Sequence, residues 1–167
     1  MMSEHEFAAI EARVAAATGD SWGPGLDEAG MPVVCVHLRD GAEEVLRVTR
    51  DRAPAGEDDV HFVAHARIDL QHLIASLGGA APLPDEELDR IEARSARASP
   101  APWTVFLEED GGTAGCNVIW VSGNDDEPDL YLWLGPDLAP SADFEFVAAA
   151  RQDIPSLLAE VRRIGAG

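Results

Sequence analysis

The chain repeats itself. Ile10-Glu11-Ala12-Arg13 returns as Ile91-Glu92-Ala93-Arg94, an offset of 81 that also carries Trp22 onto Trp103 and Cys35 onto Cys116. Farther along, Phe62-Val63-Ala64-His65-Ala66-Arg67-Ile68-Asp69 returns as Phe146-Val147-Ala148-Ala149-Ala150-Arg151-Gln152-Asp153 at an offset of 84. Leu73-Ile74-Ala75 returns as Leu157-Leu158-Ala159 at that same offset. Alanine-rich helices match by chance, so the weight rests on Phe, Arg, Asp, Leu and Trp recurring in one order. Such a repeat constrains the fold more than any single motif, because each copy must form the same elements and each is too small to bury a sheet well alone. The change from 81 to 84 predicts a net three-residue insertion in the middle of the second copy. The expected organisation is a first module over 1–80 and a second over 85–167, joined through a Gly/Ala/Pro-rich linker over 78–84.

Each copy reads as an opening helix, a turn that ends at a tryptophan, several strands and a closing helix. The opening helices are expected over about 4–17 and 85–98, the latter with Asp85-Glu86-Glu87 where a helix dipole favours acidic residues. The clearest strands of the first copy are Pro32–Arg39 and Glu43–Arg50, parted by Asp40-Gly41. The second copy offers Trp103–Glu108, Asn117–Ser122 and Asp129–Leu134, separated by Asp110-Gly111-Gly112 and Gly123-Asn124-Asp125-Asp126. In the last of these Leu130, Leu132 and Leu134 alternate with Tyr131 and Trp133, which predicts a strand covered on both faces. The closing helices place Phe62, Val63, Ala66, Leu70, Leu73, Ile74 and Leu77, and equally Phe146, Val147, Ala150, Ile154, Leu157, Leu158 and Val161, on one stripe. Pro155 predicts an interruption, with Asp153 capping a second segment from Ile154. The fold class is therefore α+β: two tandem helix–antiparallel strands–helix modules packed as a pseudo-twofold unit, a tandem pair standing where a homodimer of single copies would otherwise form.

Charge narrows the function. Thirty-one acidic residues face 12 basic ones, all arginine, for a net charge of -19, spread as -8 over residues 1–84 and -11 over 85–167. That balance argues against direct nucleic-acid binding and against anionic membrane surfaces, which call for clustered basic residues. The arginine-only basic set, with abundant Ala and Gly, matches the coding bias of a GC-rich bacterium or its phage. Two cysteines exclude a disulfide scaffold or zinc ribbon. No apolar run is long enough to span a membrane, and the acidic start at Met1-Met2-Ser3-Glu4 lacks the basic region of a secretory signal, so the expected location is cytoplasmic.

The stretch from Ile91-Glu92-Ala93-Arg94 to Ser99-Pro100-Ala101-Pro102-Trp103, followed by Phe146 to Leu158, resembles a small actinobacterial and phage module, some phage members of which are called Ead-like. The resemblance covers the ends of both copies, about half of the chain. The first copy departs from it at Thr18-Gly19-Asp20-Ser21-Trp22, which lacks both prolines, and at Leu70-Gln71, where the second has Ile154-Pro155. It implies module boundaries and a prokaryotic or phage origin, and it implies no chemistry.

Several residues are candidates for function, each with a structural alternative. His61, His65 and His72 fall within roughly 40° of one another on a helix, with Asp69 a further 40° round, as transition-metal ligands would. The alternative is a solvated polar face, since the second copy has Glu145, Ala149 and Ser156 there. Arg67 with Asp69 and Arg151 with Asp153 recur in both copies, either as paired polar sites between the modules or as structural pins and caps. Glu11/Arg13 and Glu92/Arg94 recur with the same two readings, and pairs from them across to the closing helices are a further expectation. Trp22 and Trp103 are core lids or stacking platforms for a ligand. Trp120, Tyr131 and Trp133 would form a binding patch wherever they face outward. Cys35 and Cys116 are expected at equivalent strand positions as buried thiols, and a dyad of Cys35 with His37 has no counterpart in the second copy. The acidic runs Glu57-Asp58-Asp59, Glu108-Glu109-Asp110 and Asp125 to Asp129 read as solvated loops; the last loosely resembles a cation-binding loop but lacks its oxygen spacing and central glycine.

No phosphate-binding, dinucleotide, nucleophile-elbow or zincin motif is present, and no cofactor is expected. The reading that follows is a non-catalytic acidic interaction protein with a protein partner, favourably a basic one, of the inhibitor or immunity type. It would be a monomer or homodimer. One alternative is capture of a small anionic ligand such as a nucleotide signal at the inter-module interface by Arg67, Arg151, Trp22 and Trp103. Another is a metal-dependent hydrolase using His61, His65 and His72.

Overall fold

The computed structural model describes residues 1–50, 53–110, 116–121 and 129–165. They form four α-helices and a mainly antiparallel sheet, an α+β architecture. The helices are α1 (Glu4–Ala16), α2 (Glu57–Leu77), α3 (Asp85–Arg97) and α4 (Ser141–Gly165). The strands are β1 (Ser21–Leu26), β2 (Pro32–His37), β3 (Glu43–Arg50), β4 (Ala53–Pro54), β5 (Trp103–Phe106), β6 (Val118–Val121), β7 (Leu130–Leu134) and β8 (Asp137–Leu138). A 3₁₀ turn, Glu108–Asp110, follows β5.

Six strands run in the order β1-β2-β3-β7-β6-β5, with β4 on β3 and β8 on β7. The centre is the antiparallel pair β3–β7, in which Val48 faces Leu132 while Leu46 faces Leu134 and Arg50 faces Leu130. The short strands attach in the same way on either side: Thr49 faces Pro54 and Arg50 faces Ala53, as Trp133 faces Leu138 and Leu134 faces Asp137. Fully buried positions alternate along the strands, as period-two geometry requires of a sheet packed on one core. They are Val34 and Val36, Leu46 and Val48, Leu130 and Leu132, and Ile119 and Val121. Against them lie α2, on β1 to β3, and α4, on β5 and β6, the two helices also packing on each other.

The opening helices begin and end where local chemistry dictates. Ser3 caps α1 in a reciprocal box: Glu6 N–H donates to the Ser3 hydroxyl at 3.2 Å and Ser3 N–H donates to the Glu6 carboxylate at 2.8 Å. The acidic first turn of α3, Asp85-Glu86-Glu87, sits at the positive end of its dipole. Helix α1 packs mainly on α4, near the opposite end of the chain, and α3 packs on α2 and α4.

Four expectations need correction. Helix α4 runs unbroken through Pro155, so no new segment starts at Ile154 and Asp153 is not its cap. The proline occupies an exposed position, and tertiary packing of Ile154, Leu157 and Leu158 outweighs one missing backbone donor. Cys35 and Cys116 are not equivalent: Cys35 lies within β2 between Gly23 and Val45, whereas Cys116 precedes β6. The residue in the corresponding place, between Thr104 and the residue preceding β7, is Trp120. Glu57-Asp58-Asp59 is not a loop but the first turn of α2, and Asp59 is buried. Glu108-Glu109-Asp110 is the 3₁₀ turn. The turns expected at 111–112 and 123–126, and most of the third acidic run, lie outside the described residues.

Candidate functional site

Two sets of buried polar groups stand where helices meet strands. In the first, Asp143 at the start of α4 accepts the Thr18 N–H and the Thr18 hydroxyl, each at 2.7 Å. The Thr18 carbonyl then receives Trp22 Nε1 at 2.8 Å and Arg67 Nη1 at 2.9 Å. In the second, Asp59 at the start of α2 accepts the Ser99 N–H at 2.6 Å and the Ser99 hydroxyl at 2.7 Å. The Ser99 carbonyl receives Trp103 Nε1 at 3.2 Å and Arg151 Nε at 3.0 Å. Each tryptophan meets a phenylalanine edge to face: Trp22 on Phe146 at 5.2 Å and Trp103 on Phe62 at 5.5 Å. Such pairs contribute about 0.5–1.5 kcal/mol beyond the area they bury. Arg50 adds a third partner to Asp59 at 2.6 Å and also bonds the Ser99 hydroxyl.

The pairing expected for Arg13 and Arg94 runs across the helices. Arg13 donates to Asp153 at 2.7 Å, and Arg94 grips Asp69 through Nε at 3.1 Å and Nη2 at 2.6 Å. Burial pushes the carboxyls of Asp69, Asp143 and Asp153 up from the usual range, against the pull of the arginines and of Thr18 that bond them. Burial likewise pulls the guanidinium values of Arg67 and Arg151 down.

Arg67 and Arg151 also line two clefts of similar make. One, of about 310 Å³, lies between α1 and α2, where Glu11, Val14, Ala15, Gln71 and Ile74 surround Arg67. The other, of about 360 Å³, lies between α3 and α4, where Glu92, Ser95, Ala96, Pro155 and Leu158 surround Arg151. The guanidinium of Arg151 is well provided for, bonding Ser95 Oγ at 3.2 Å as well as Ser99 O, with its centre 5.7 Å from the Phe62 ring. Arg67 has the Thr18 carbonyl, and its buried Nε has no partner. The clefts are the part of the candidate ligand site that the arginines reach; Trp22 and Trp103 are 4% and 2% exposed, with rings against Phe146 and Phe62.

The second face of the sheet is different in kind. Along β3, β7, β6 and β5 the residues between the buried positions are Val45, Arg47, Thr49, Tyr131, Trp133, Val118, Trp120 and Phe106, all half-buried or exposed. Tyr131 and Trp133, expected to be covered like Leu130 and Leu132, belong to this half-exposed face. Trp133 donates to Thr49 Oγ1 at 3.1 Å and stands opposite Arg47 in register. Phe106 is 41% exposed and lies 6.0 Å from the Trp120 ring. Glu43 starts β3 at one margin, and Glu108 and Glu109 follow β5 at another; all three are exposed.

His61, His65 and His72 do share α2, with His65 Nδ1 2.9 Å from the His61 carbonyl and the two rings 6.1 Å apart. Asp69, the proposed fourth ligand, is committed to Arg94. Among the described residues no three His, Cys, Asp or Glu side chains come together as metal ligands. His37 faces Glu43 at 3.4 Å, and burial raises the Cys35 thiol, with the Glu43 charge adding to the effect. No described helix is long and apolar enough to cross a membrane. No family model matches the chain, and neither a curated protein nor a solved structure matches it significantly.

The sequence reading missed the aspartates that organise both buried sets. Their signal was available: Asp59 and Asp143 stand 84 apart, three residues ahead of the Phe62/Phe146 match, just as Thr18 and Ser99 stand 81 apart. Matching by identity stopped short at the first and passed over the second, where two different hydroxyl side chains do the same work.

Proposed function

We propose that the chain is a non-catalytic acidic interaction protein, built as an internal duplication of residues 1–80 and 85–167 packed about a pseudo-twofold axis, whose partner is a basic protein. Three kinds of evidence support the duplication. The Thr18 and Ser99 sets share an aspartate, a hydroxyl residue, a tryptophan and an arginine in like roles, the Arg13–Asp153 and Arg94–Asp69 pairs are reciprocal, and the β3–β7 register centres on Val48 and Leu132. In this reading the recurrent arginines, aspartates and tryptophans hold the two modules together.

The observation that carries the functional reading is the half-exposed sheet face bearing Trp120, Tyr131, Trp133 and Phe106 on a chain of net charge -19. Tryptophan and tyrosine anchor protein interfaces because they bury large areas and lose little rotamer freedom. Exposed carboxylates at Glu43, Glu108 and Glu109 around such a patch favour a positively charged partner and raise its encounter rate. A cytoplasmic setting is the corresponding proposal for compartment.

The test is photo-crosslinking inside cells of a source strain. A crosslinkable residue at position 133 on the sheet face is compared with one at position 72 on α2. The reading expects a basic protein crosslinked from 133 alone, with binding of the purified pair weakened at least tenfold by Trp133→Ser and by added salt. Crosslinks to an acidic protein or to a second copy of the chain, or undiminished binding by Trp133→Ser, would overturn it.

A further inference from the structure

Arg67 is a buried cation with one of its five N–H donors engaged. It is 5% exposed, its Nη1 donates to the Thr18 carbonyl at 2.9 Å, its Nε is buried without a partner, and no carboxylate of a described residue comes within ion-pair distance. Charged groups removed from water ordinarily have partners for every donor, because leaving one unmade costs on the order of 1–3 kcal/mol. The unused edge, Nε with Nη2, is the one with which Arg94 holds Asp69 at 3.1 and 2.6 Å and Arg163 holds Glu160 at 3.1 and 2.7 Å. In Arg94 and Arg163 that edge holds a carboxylate, whereas Arg13 holds Asp153 through Nη2 with its buried Nε likewise unpartnered, and Arg151 Nε takes a carbonyl.

The matching cleft shows what a self-sufficient version looks like. There Ser95 stands in the place of Val14 and gives Arg151 a hydroxyl partner, while Arg151 Nε is taken by the Ser99 carbonyl. The two clefts share their other aliphatic lining, Ala15, Ile74 and Ala75 here against Ala96, Leu158 and Ala159 there, so Val14 in place of Ser95 is what leaves this guanidinium without a hydroxyl.

We propose that the α1–α2 cleft binds a small monocarboxylate with an apolar body. Its two oxygens accept from Nε and Nη2 of Arg67, and its body lies against Val14, Ala15, Ile74 and Ala75. A volume of about 310 Å³ is at the small end of ligand sites, which run from about 300 to 1,000 Å³, so the body is compact. Glu11 on the rim and the net charge of -19 repel a second negative charge, which selects against phosphates and dicarboxylates. Nε has no exposed surface as the cleft stands, so binding includes a rearrangement of the cleft lining, of which Glu11 and Gln71 are exposed members. This site is separate from the sheet face and does not depend on the partner proposed above.

The experiment is a titration of the ¹⁵N-labelled full chain with 4-methylpentanoate, reading the arginine Nε–H and backbone resonances. The expected result is a saturable shift of Arg67 Nε–H and of α1 and α2 amides around the cleft. The neutral isostere 4-methylpentanamide, and inorganic phosphate, should bind at least tenfold more weakly. Because Arg67→Gln removes a buried cation and can unfold the chain, Ala75→Phe carries the mutational arm. It fills the cleft from its half-exposed rim and should weaken binding at least tenfold, while Ala159→Phe in the α3–α4 cleft leaves binding unchanged. No saturable shift, equal binding of acid and amide, or binding indifferent to Ala75→Phe would each overturn the proposal.

Discussion

Under the proposed duplication, the two faces of the sheet treat corresponding residues in opposite ways. On the helix side, positions separated by 81 or 84 residues keep their chemistry: Trp22 and Trp103, Phe62 and Phe146, Asp59 and Asp143, Leu46 and Leu130 are all buried and similarly bonded. On the other side they part company. Arg47 corresponds to Tyr131, Thr49 to Trp133, Gly25 to Phe106 and Cys35 to Trp120, so the first half of the sheet is small or polar there and the second half aromatic. Packing explains the first behaviour, since close-packed interiors tolerate few changes of volume. Nothing in the packing demands the second. A Cβ on Gly25 would lie within clashing distance of the Cys35 sulfur, whereas Phe106 lies beside the Trp120 ring and is exposed.

Mutations across this divide should separate by size. Trp103→Ala should show the largest effect, about 3–5 kcal/mol in a urea titration, because it removes the stack on Phe62 and the bond to Ser99 from a residue 2% exposed. Asp69→Asn, which leaves Arg94 without its carboxylate, should cost about 3 kcal/mol, with Asp153→Asn costing less because Arg13 is the more exposed arginine. If the two aspartate variants were equal, the equivalence of the reciprocal pairs would extend to their energies. Ser95→Val should cost about 1–2 kcal/mol by denying Arg151 its hydroxyl, and the converse change, Val14→Ser, should be tolerated better than a buried Val→Ser usually is because Arg67 gains a partner. Phe106→Ser on the outer face should shift stability by less than about 1 kcal/mol while weakening the proposed partner complex.

The smallest effect concerns pH. Burial raises the folded-state value of Asp143 above its unfolded value, so the stability this group contributes is full below the unfolded value and lost as pH rises through the folded one. Lowering the pH from 7 towards the carboxylate range should therefore raise the urea midpoint through Asp143. Asp143→Asn should flatten that rise, which parallel titrations of the two proteins would reveal.

Much of this arrangement was readable from residues alone. The repeat located both opening helices to within a residue, and the apolar stripe of the closing helices named Phe62, Leu70, Phe146 and Leu157 as core, which they are. Strand β1 escaped because Trp22-Gly23-Pro24-Gly25 has none of the β-branched character that marks strands; its pairing to β2 is dictated by tertiary context. The equivalence of Cys35 with Cys116 failed because the offset is 81 at Trp22 and Trp103 but 85 at Val36 and Val121, a register detail no run of identities reveals. The clefts were legible only as recurrent arginines. That Arg151 has a second hydrogen-bond partner and Arg67 does not depends on Ser95 against Val14, a difference that looks neutral until both are placed beside their arginines.

The salt bridge from Arg13 to Asp153 has a consequence for biosynthesis. Its partners lie 140 residues apart, so at roughly 5–20 residues per second the first helix waits about 7–28 s for the last to be translated. Until then the contact of α1 with α4, the larger of its two helix contacts, cannot form. The packing of α1 is therefore completed only once α4 has emerged, well after α1, α2 and the sheet strands have been made.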